Sequence, residues 1–248
     1  MSKQKQDKTK NKSGLTSLLW VFGILFILGA AIAAGYYWNS SMRVQEINYE
    51  GNRLVADSKL KEVKITTGIH PDSLNTMRIV NDFEKIPYIK RASINVEPSG
   101  DLTVEITEQQ PIAMLVGSGQ KMYIDQEGIR LPINLGHSVD VPLLYGFNSG
   151  SIGDTLSGKS GKAAIAFLNE LRKRPVSDAT ISEVAWTDNG IAAITNQSGL
   201  QLIFGDNNFS AELRNWEAFY SKVVKQKGIE NMQSIDLRFK GQIVTREN

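Results

Sequence analysis

The octapeptide Gly153-Asp154-Thr155-Leu156-Ser157-Gly158-Lys159-Ser160 fits the phosphate-binding pattern G-x-x-x-x-G-K-[ST] letter for letter. The pattern works when a buried parallel strand ends at the first glycine and a helix opens after the lysine. Backbone N–H groups then cradle phosphate oxygens. Here the nearest strand-like run ends at Tyr145, residues 147–152 are a Gly/Ser/Asn stretch, and the flanks read as β-meander without repeated βαβ units. A flexible loop opening a helix is the expectation. Histidine chemistry would have to use His70, between Ile69 and Pro71 at a helix entry, or His137, in a Gly136-Ser138 loop, and no G-x-S-x-G elbow occurs. Asp125 and Glu127 could begin a calcium loop, but the further ligand spacing is missing, so Asp125-Gln126-Glu127-Gly128 reads as a hairpin turn. With no cysteine in the chain, disulfides, thiolate metal sites and cysteine nucleophiles are excluded together. No catalytic residue, cofactor or metal is expected.

The elements that carry these residues fall into two very different parts. A chain of 248 residues, 41% hydrophobic, can build one or two cored domains, and a net charge of +2 argues against a nucleic-acid protein. Residues 1–12 carry five lysines against Asp7, and residues 13–42 carry no charge. From Arg43 onward there remain 28 − 5 = 23 basic and 26 − 1 = 25 acidic residues, a net −2. Residues 15–38 therefore read as a transmembrane helix, with Trp20 at one end and Tyr36, Tyr37 and Trp38 at the other as interfacial belts. The lysine tail, residues 1–14, places the N-terminus in the cytoplasm by the positive-inside rule, and everything after residue 38 outside the plasma membrane. A cleaved signal peptide is the rival, since Ala31-Ile32-Ala33 has the shape of a cleavage site. The length of the apolar run and the aromatic cluster after it favour an uncleaved anchor.

The outer part is expected to be α+β. In residues 43–107 a strand over 44–49 precedes helices over 57–64, capped by Asp57, and 73–85, capped by Asp72. The second would bury Leu74, Met77, Val80 and Phe83. Strands over 92–97 and 102–107 follow, joined by Pro98-Ser99-Gly100-Asp101. Residues 108–248 read as mainly β, with short strands over 112–116, 121–124, 129–131, 141–145, 183–187, 191–195 and 201–204. Helices over 163–173 and 209–227 interrupt them, and a final strand spans 234–244. In that last strand Ile235, Leu237 and Phe239 alternate with Asp236, Arg238 and Lys240, and Gln242-Ile243-Val244-Thr245 continues it. Such an edge is covered either by a neighbouring strand of its own domain or by a partner that adds a strand.

Several strings resemble the FtsQ/DivIB family of bacterial cell-division proteins. Residues 86–94 (IPYIKRASI), Leu102-Thr103-Val104-Glu105-Ile106-Thr107-Glu108 and Gln110-Pro111-Ile112-Ala113 are similar to the end of that family's POTRA domain. Tyr123-Ile124-Asp125 with Gly128, and Ile235-Asp236-Leu237-Arg238-Phe239, resemble landmarks of its β domain. Gln109-Gln110 stands where a basic residue before the proline is usual, and the tail is short. The resemblance implies a POTRA domain at 43–107 and a β domain at 108–248. It implies a non-enzymatic divisome scaffold at the division site that helps recruit or regulate septal peptidoglycan synthesis. It also implies that the C-terminal edge receives a strand from an FtsB–FtsL-like pair, with Phe239, Gly241, Gln242, Ile243 and Val244 as contacts. Arg246 would lie beyond that ladder. A membrane-anchored envelope hydrolase and a POTRA-type secretion or assembly factor are the alternatives, although no transmembrane barrel strands follow the module.

Overall fold

In a computed structural model of the chain, residues 13–117, 119–133, 138–148, 150–228 and 232–247 are described. The lysine tail and His137 lie outside the described residues. Helix α1 (Ser13–Ser41) is apolar all round, and its stretch Leu18–Ser41, long enough to cross a membrane, is not buried against the rest of the protein.

The chain then folds into a small three-stranded sheet with helices against it. Strand β1 (Ile47–Glu50) leads to the one-turn helix α2 (Asp57–Leu60), a 3₁₀ turn (Pro71–Ser73) and helix α3 (Thr76–Glu84). Strands β2 (Ile89–Val96) and β3 (Leu102–Glu108) complete the sheet in the order β1-β3-β2. Strand β1 runs parallel to β3 and β2 antiparallel to it. This is the β-α-α-β-β order expected. The expected long helix from Ser73 is corrected, because Leu74 is extended and the cap is Asn75, whose Oδ1 accepts from Arg78 N at 3.0 Å. The later start turns the buried stripe to Ile79 and Phe83 and leaves Met77 75% exposed.

Only Gln109 and Gln110 separate β3 from the next strand, so the sheets follow one another without a linker. Strands β4 (Pro111–Leu115), β5 (Met122–Asp125), β6 (Arg130–Leu131) and β7 (Leu143–Tyr145) lead into helices α4 (Gly158–Arg172) and α5 (Pro175–Thr180). Strands β8 (Ile181–Thr187), β9 (Gly190–Thr195) and β10 (Gln201–Gly205) precede helix α6 (Phe209–Phe219), which continues through a π turn, Tyr220–Val224. Strands β11 (Met232–Asp236) and β12 (Val244–Glu247) close a nine-stranded sheet ordered β12-β11-β10-β9-β8-β7-β4-β5-β6. The meander expectation fails at three neighbouring pairs, since β4–β7, β7–β8 and β10–β11 are all parallel. Strands β7 and β8 are parallel and therefore need a crossover, supplied by α4 and α5. Pro175 opens α5 from its first position.

Two cores hold this together. Phe167, Leu168 and Leu171 of α4 and Leu213 and Trp216 of α6 cover one face of the large sheet, with the Phe167 and Phe204 rings 4.8 Å apart. Trp216 Nε1 donates to Thr180 Oγ1 at 3.0 Å, so the buried indole leaves no orphan donor. The second core joins Leu60, Phe83, Val104 and Ile106 of the small unit to Tyr123 and Leu131 of the large sheet. Tyr88 sits at the junction with φ +79°, its hydroxyl donating to Pro132 O. Burial pushes its phenol up to about 12.

Candidate partner-binding edge

Residues 234–244 do not form one strand. Strand β11 ends at Asp236, and residues 237–243 turn the chain back so that β12 pairs antiparallel with β11. Gln242 N donates to Phe239 O at 3.4 Å, and Gly241 takes φ +78°, the conformation glycine accepts without cost. Arg238 grips Asp236 with two bonds, Nε–Oδ1 at 2.9 Å and Nη2–Oδ2 at 2.6 Å, fastening the start of this turn. The pairing holds the Asp236 carboxyl below its ordinary range. The apolar alternation ran through Lys240-Gly241 without a visible break, and only that glycine hinted at the reversal.

Of the five expected contact residues, Val244 alone lies in the edge strand. Phe239, Gly241 and Gln242 form the turn, and Ile243 packs half-buried against the large core. Phe239 and Val244 are 44% and 45% exposed, so two apolar side chains flank the edge. Arg246, expected beyond the ladder, is inside it, opposite Ser234.

The free backbone groups can be assigned. Leu237 N donates to Ile203 O on β10 at 3.0 Å, so Leu237 and, by alternation, Ile235 turn their amides toward β10. Ser234 and Asp236 then face β12 and bond its Arg246 and Val244. Thr245 therefore points its N–H and C=O away from the sheet. All four residues of β12 are exposed. At the opposite end of the sheet, β6 is covered: Arg130 N donates to Asp154 O and Gly153 N to Arg130 O, each at 2.9 Å.

Under the hairpin lies Glu212 of α6, 6% exposed, with Oε2 lacking a hydrogen-bond partner among the described residues. Burial, then the charge of Asp236, push its carboxyl up to about 8; Arg238 opposes this and Asp206 adds to it.

A family model described as "FtsQ/DivIB, C-terminal related" matches residues 110–246, more than half the chain and all but the last residue of the sheet just described. The chain belongs to the FtsQ/DivIB family. It is 26% identical over 236 residues to the cell division protein FtsQ of Rhodothermus marinus, covering 90% of this chain and 86% of that one. Against FtsQ of Salinibacter ruber the identity is 26% over 223 residues, with 86% and 85% covered. The major extracytoplasmic domain of the trans isomer of DivIB from Geobacillus stearothermophilus matches with a TM-score of 0.33 and 19% identity, over 48% of this chain and 97% of that one. As an FtsQ/DivIB protein the chain has a role in cell division, and α1 supplies its membrane anchor.

The other candidate groups of this FtsQ/DivIB chain are occupied structurally. Gly153 N and Leu156 N are spent on Arg130 O and Gly128 O, and Lys159 Nζ pairs with Asp206 at 2.7 Å. The phosphate-loop look-alike is thus a strap pinned along β6, not the flexible loop expected. His70 Nδ1 accepts from Asp72 N at 3.2 Å, which leaves Nε2 to donate to Asn39 O at 2.9 Å. Asp125 Oδ1 accepts from Glu127 N and Ile129 N, closing its own hairpin turn. Among the described residues no group of three acidic or histidine side chains could hold a metal.

Proposed function

We propose that this protein is a non-enzymatic divisome scaffold, anchored N-terminus-in by residues 15–38, with a tail at 1–14, a POTRA module at 43–107 and a β domain at 108–248 outside the plasma membrane. Its C-terminal hairpin accepts a strand from an FtsB–FtsL-like pair and so helps recruit or regulate septal peptidoglycan synthesis. One observation carries the reading: among the described residues β12 is an uncovered, fully exposed edge of a nine-stranded sheet whose other edge is strapped shut. An edge of this kind is a template for strand addition. Thr245 supplies the outward donor and acceptor, exposed Phe239 and Val244 give it an apolar flank, and Gly241, Gln242 and Ile243 shape the turn that leads into it.

Proline scanning tests this. Thr245→Pro removes an outward N–H that the native ladder does not use, a place where an edge strand tolerates proline. Arg246→Pro removes an inward one and breaks the hairpin itself. The full chain, reconstituted in lipid nanodiscs, is titrated with an FtsB–FtsL-like heterodimer, circular dichroism reporting folding. Thr245→Pro is expected to fold normally and to bind about tenfold or more weakly, the loss of one or two backbone hydrogen bonds. A normally folded Thr245→Pro that binds with unchanged affinity would falsify strand addition here.

A further inference from the structure

The small unit is tied to the end of the anchor. His70 Nε2 bonds Asn39 O in the last turn of α1, and Trp38 Nε1 donates to Pro98 O at 3.4 Å. Only Met42 and Arg43 separate α1 from Val44, whose N–H donates to Ile69 O at 3.0 Å and whose carbonyl accepts from Gly68 N at 2.8 Å. With α1 across a membrane, the segment around Ile69 and His70 is held at the lipid headgroups. Beside it opens a cavity of about 410 Å³, with Ile69 on its wall. Lys64, from the segment after α2, and Arg78, from α3, bring two cations to it, and Thr66, Ser73 and Asn75 bring hydroxyl and amide groups. Among the described residues no carboxylate lines it. Arg78 meets Asp82 with Nε at 3.6 Å from Oδ2, a long and exposed pairing that a phosphate can compete with. Lys64 makes no ion pair among the described residues, and Asn75 Oδ1 is committed to Arg78 N, so its amide N–H groups are left to donate.

We propose that this cavity seats the phosphate headgroup of an anionic phospholipid in the leaflet where α1 ends. Donors and cations facing a phosphodiester, with the one nearby carboxylate, Asp82, held only by a long pairing to Arg78, are the chemistry that such a headgroup requires. Ile69, Leu74 and Ile79 offer apolar wall to the glycerol and first methylenes. A free phosphate would satisfy the same donors; the position beside the last turn of α1 favours the lipid. The inference rests on α1 spanning a membrane, and it is independent of the β12 edge.

The test uses the full chain in mild detergent and reads retained lipid by native mass spectrometry. Phosphatidylglycerol and phosphatidylcholine are added in equal amounts, and inorganic phosphate alone is the third arm. Wild type is expected to retain phosphatidylglycerol about tenfold over phosphatidylcholine, the scale expected of two basic side chains at an anionic surface. Lys64→Gln/Arg78→Gln should lose that preference, whereas Lys162→Gln/Lys222→Gln, an equal charge change elsewhere, should keep it. Circular dichroism shows that each variant is folded. Equal retention of both lipids by wild type, equal loss in both double variants, or saturable phosphate binding that displaces the lipid would overturn the assignment.

Discussion

Glu212→Gln isolates one titrating group beneath the C-terminal hairpin. The native carboxyl titrates near 8 against an ordinary 4.5, because it is buried and faces Asp236 and Asp206 with only Arg238 to balance them. Between those pH values the folded protein keeps a proton that the unfolded chain releases. The folded state therefore loses relative stability as pH rises, and the full contribution is present only below about 4.5. At 1.36 kcal/mol per unit, 3.5 units set a ceiling of about 5 kcal/mol. Relaxation of the hairpin and water entry around the ionised group lower the realised figure to about 2–3 kcal/mol. Glutamine keeps the shape without the titration. Thermal unfolding of the full chain in detergent, followed by circular dichroism, should show wild type and Glu212→Gln nearly matched at pH 4.5. At pH 8.5 the variant should melt about 5–10 °C higher. If the two lose stability in parallel from pH 4.5 to 8.5, Glu212 does not carry this proton and the hairpin's underside is better solvated than its burial indicates.

Glu108 ties the small unit's first loop to β3, accepting from Arg53 N, Leu54 N and Val55 N at 2.8–2.9 Å. Glu108→Gln should cost about 2 kcal/mol in denaturant unfolding, since a carboxylate that takes three backbone donors is replaced by a neutral amide. Gly190 holds φ +92°, and a Cβ there would run into the Gly205 backbone. Gly190→Ala should destabilise by about 2–3 kcal/mol and lower the melting temperature by several degrees, while Gly153→Ala, strained in φ but open in space, should cost less. For topology, protease applied to the outer face of intact cells should digest the chain beyond Arg43 and leave a small membrane-bound N-terminal fragment. Full protection of the chain would reverse the orientation.

Much of this was legible in the residues, because periodicity and turn chemistry are local. The apolar run became α1, and Pro98-Ser99-Gly100-Asp101 did connect two strands in register. What escaped was set by distant contacts. Nothing local in residues 141–145 says that β7 will lie parallel to β8. The start of α3 was misplaced because Asp72 and Asn75 are both good caps, and His70 had already claimed the Asp72 amide. Edge residues 239–244 looked like a continuing strand because apolar alternation survives a turn whose only marker is Gly241. Glu212 was not singled out at all, since a glutamate in a first helical turn is ordinary until a sheet is folded over it.

The shared core around Tyr88 and Tyr123, together with the clasp of His70 and Trp38 on the anchor, has a consequence for spacing. Among the described residues the anchor, the small unit and the large sheet are clasped to one another, so on the proposed strand-addition reading the β12 edge stands at one altitude above the membrane. A partner anchored in the same membrane must climb to that altitude with its own chain, at about 3.3 Å per extended residue or 1.5 Å per helical one. On that proposed reading the protein acts as a gauge: it would accept partners whose stalk is long enough, and residues deleted from that stalk would weaken assembly even with every contact at the edge intact.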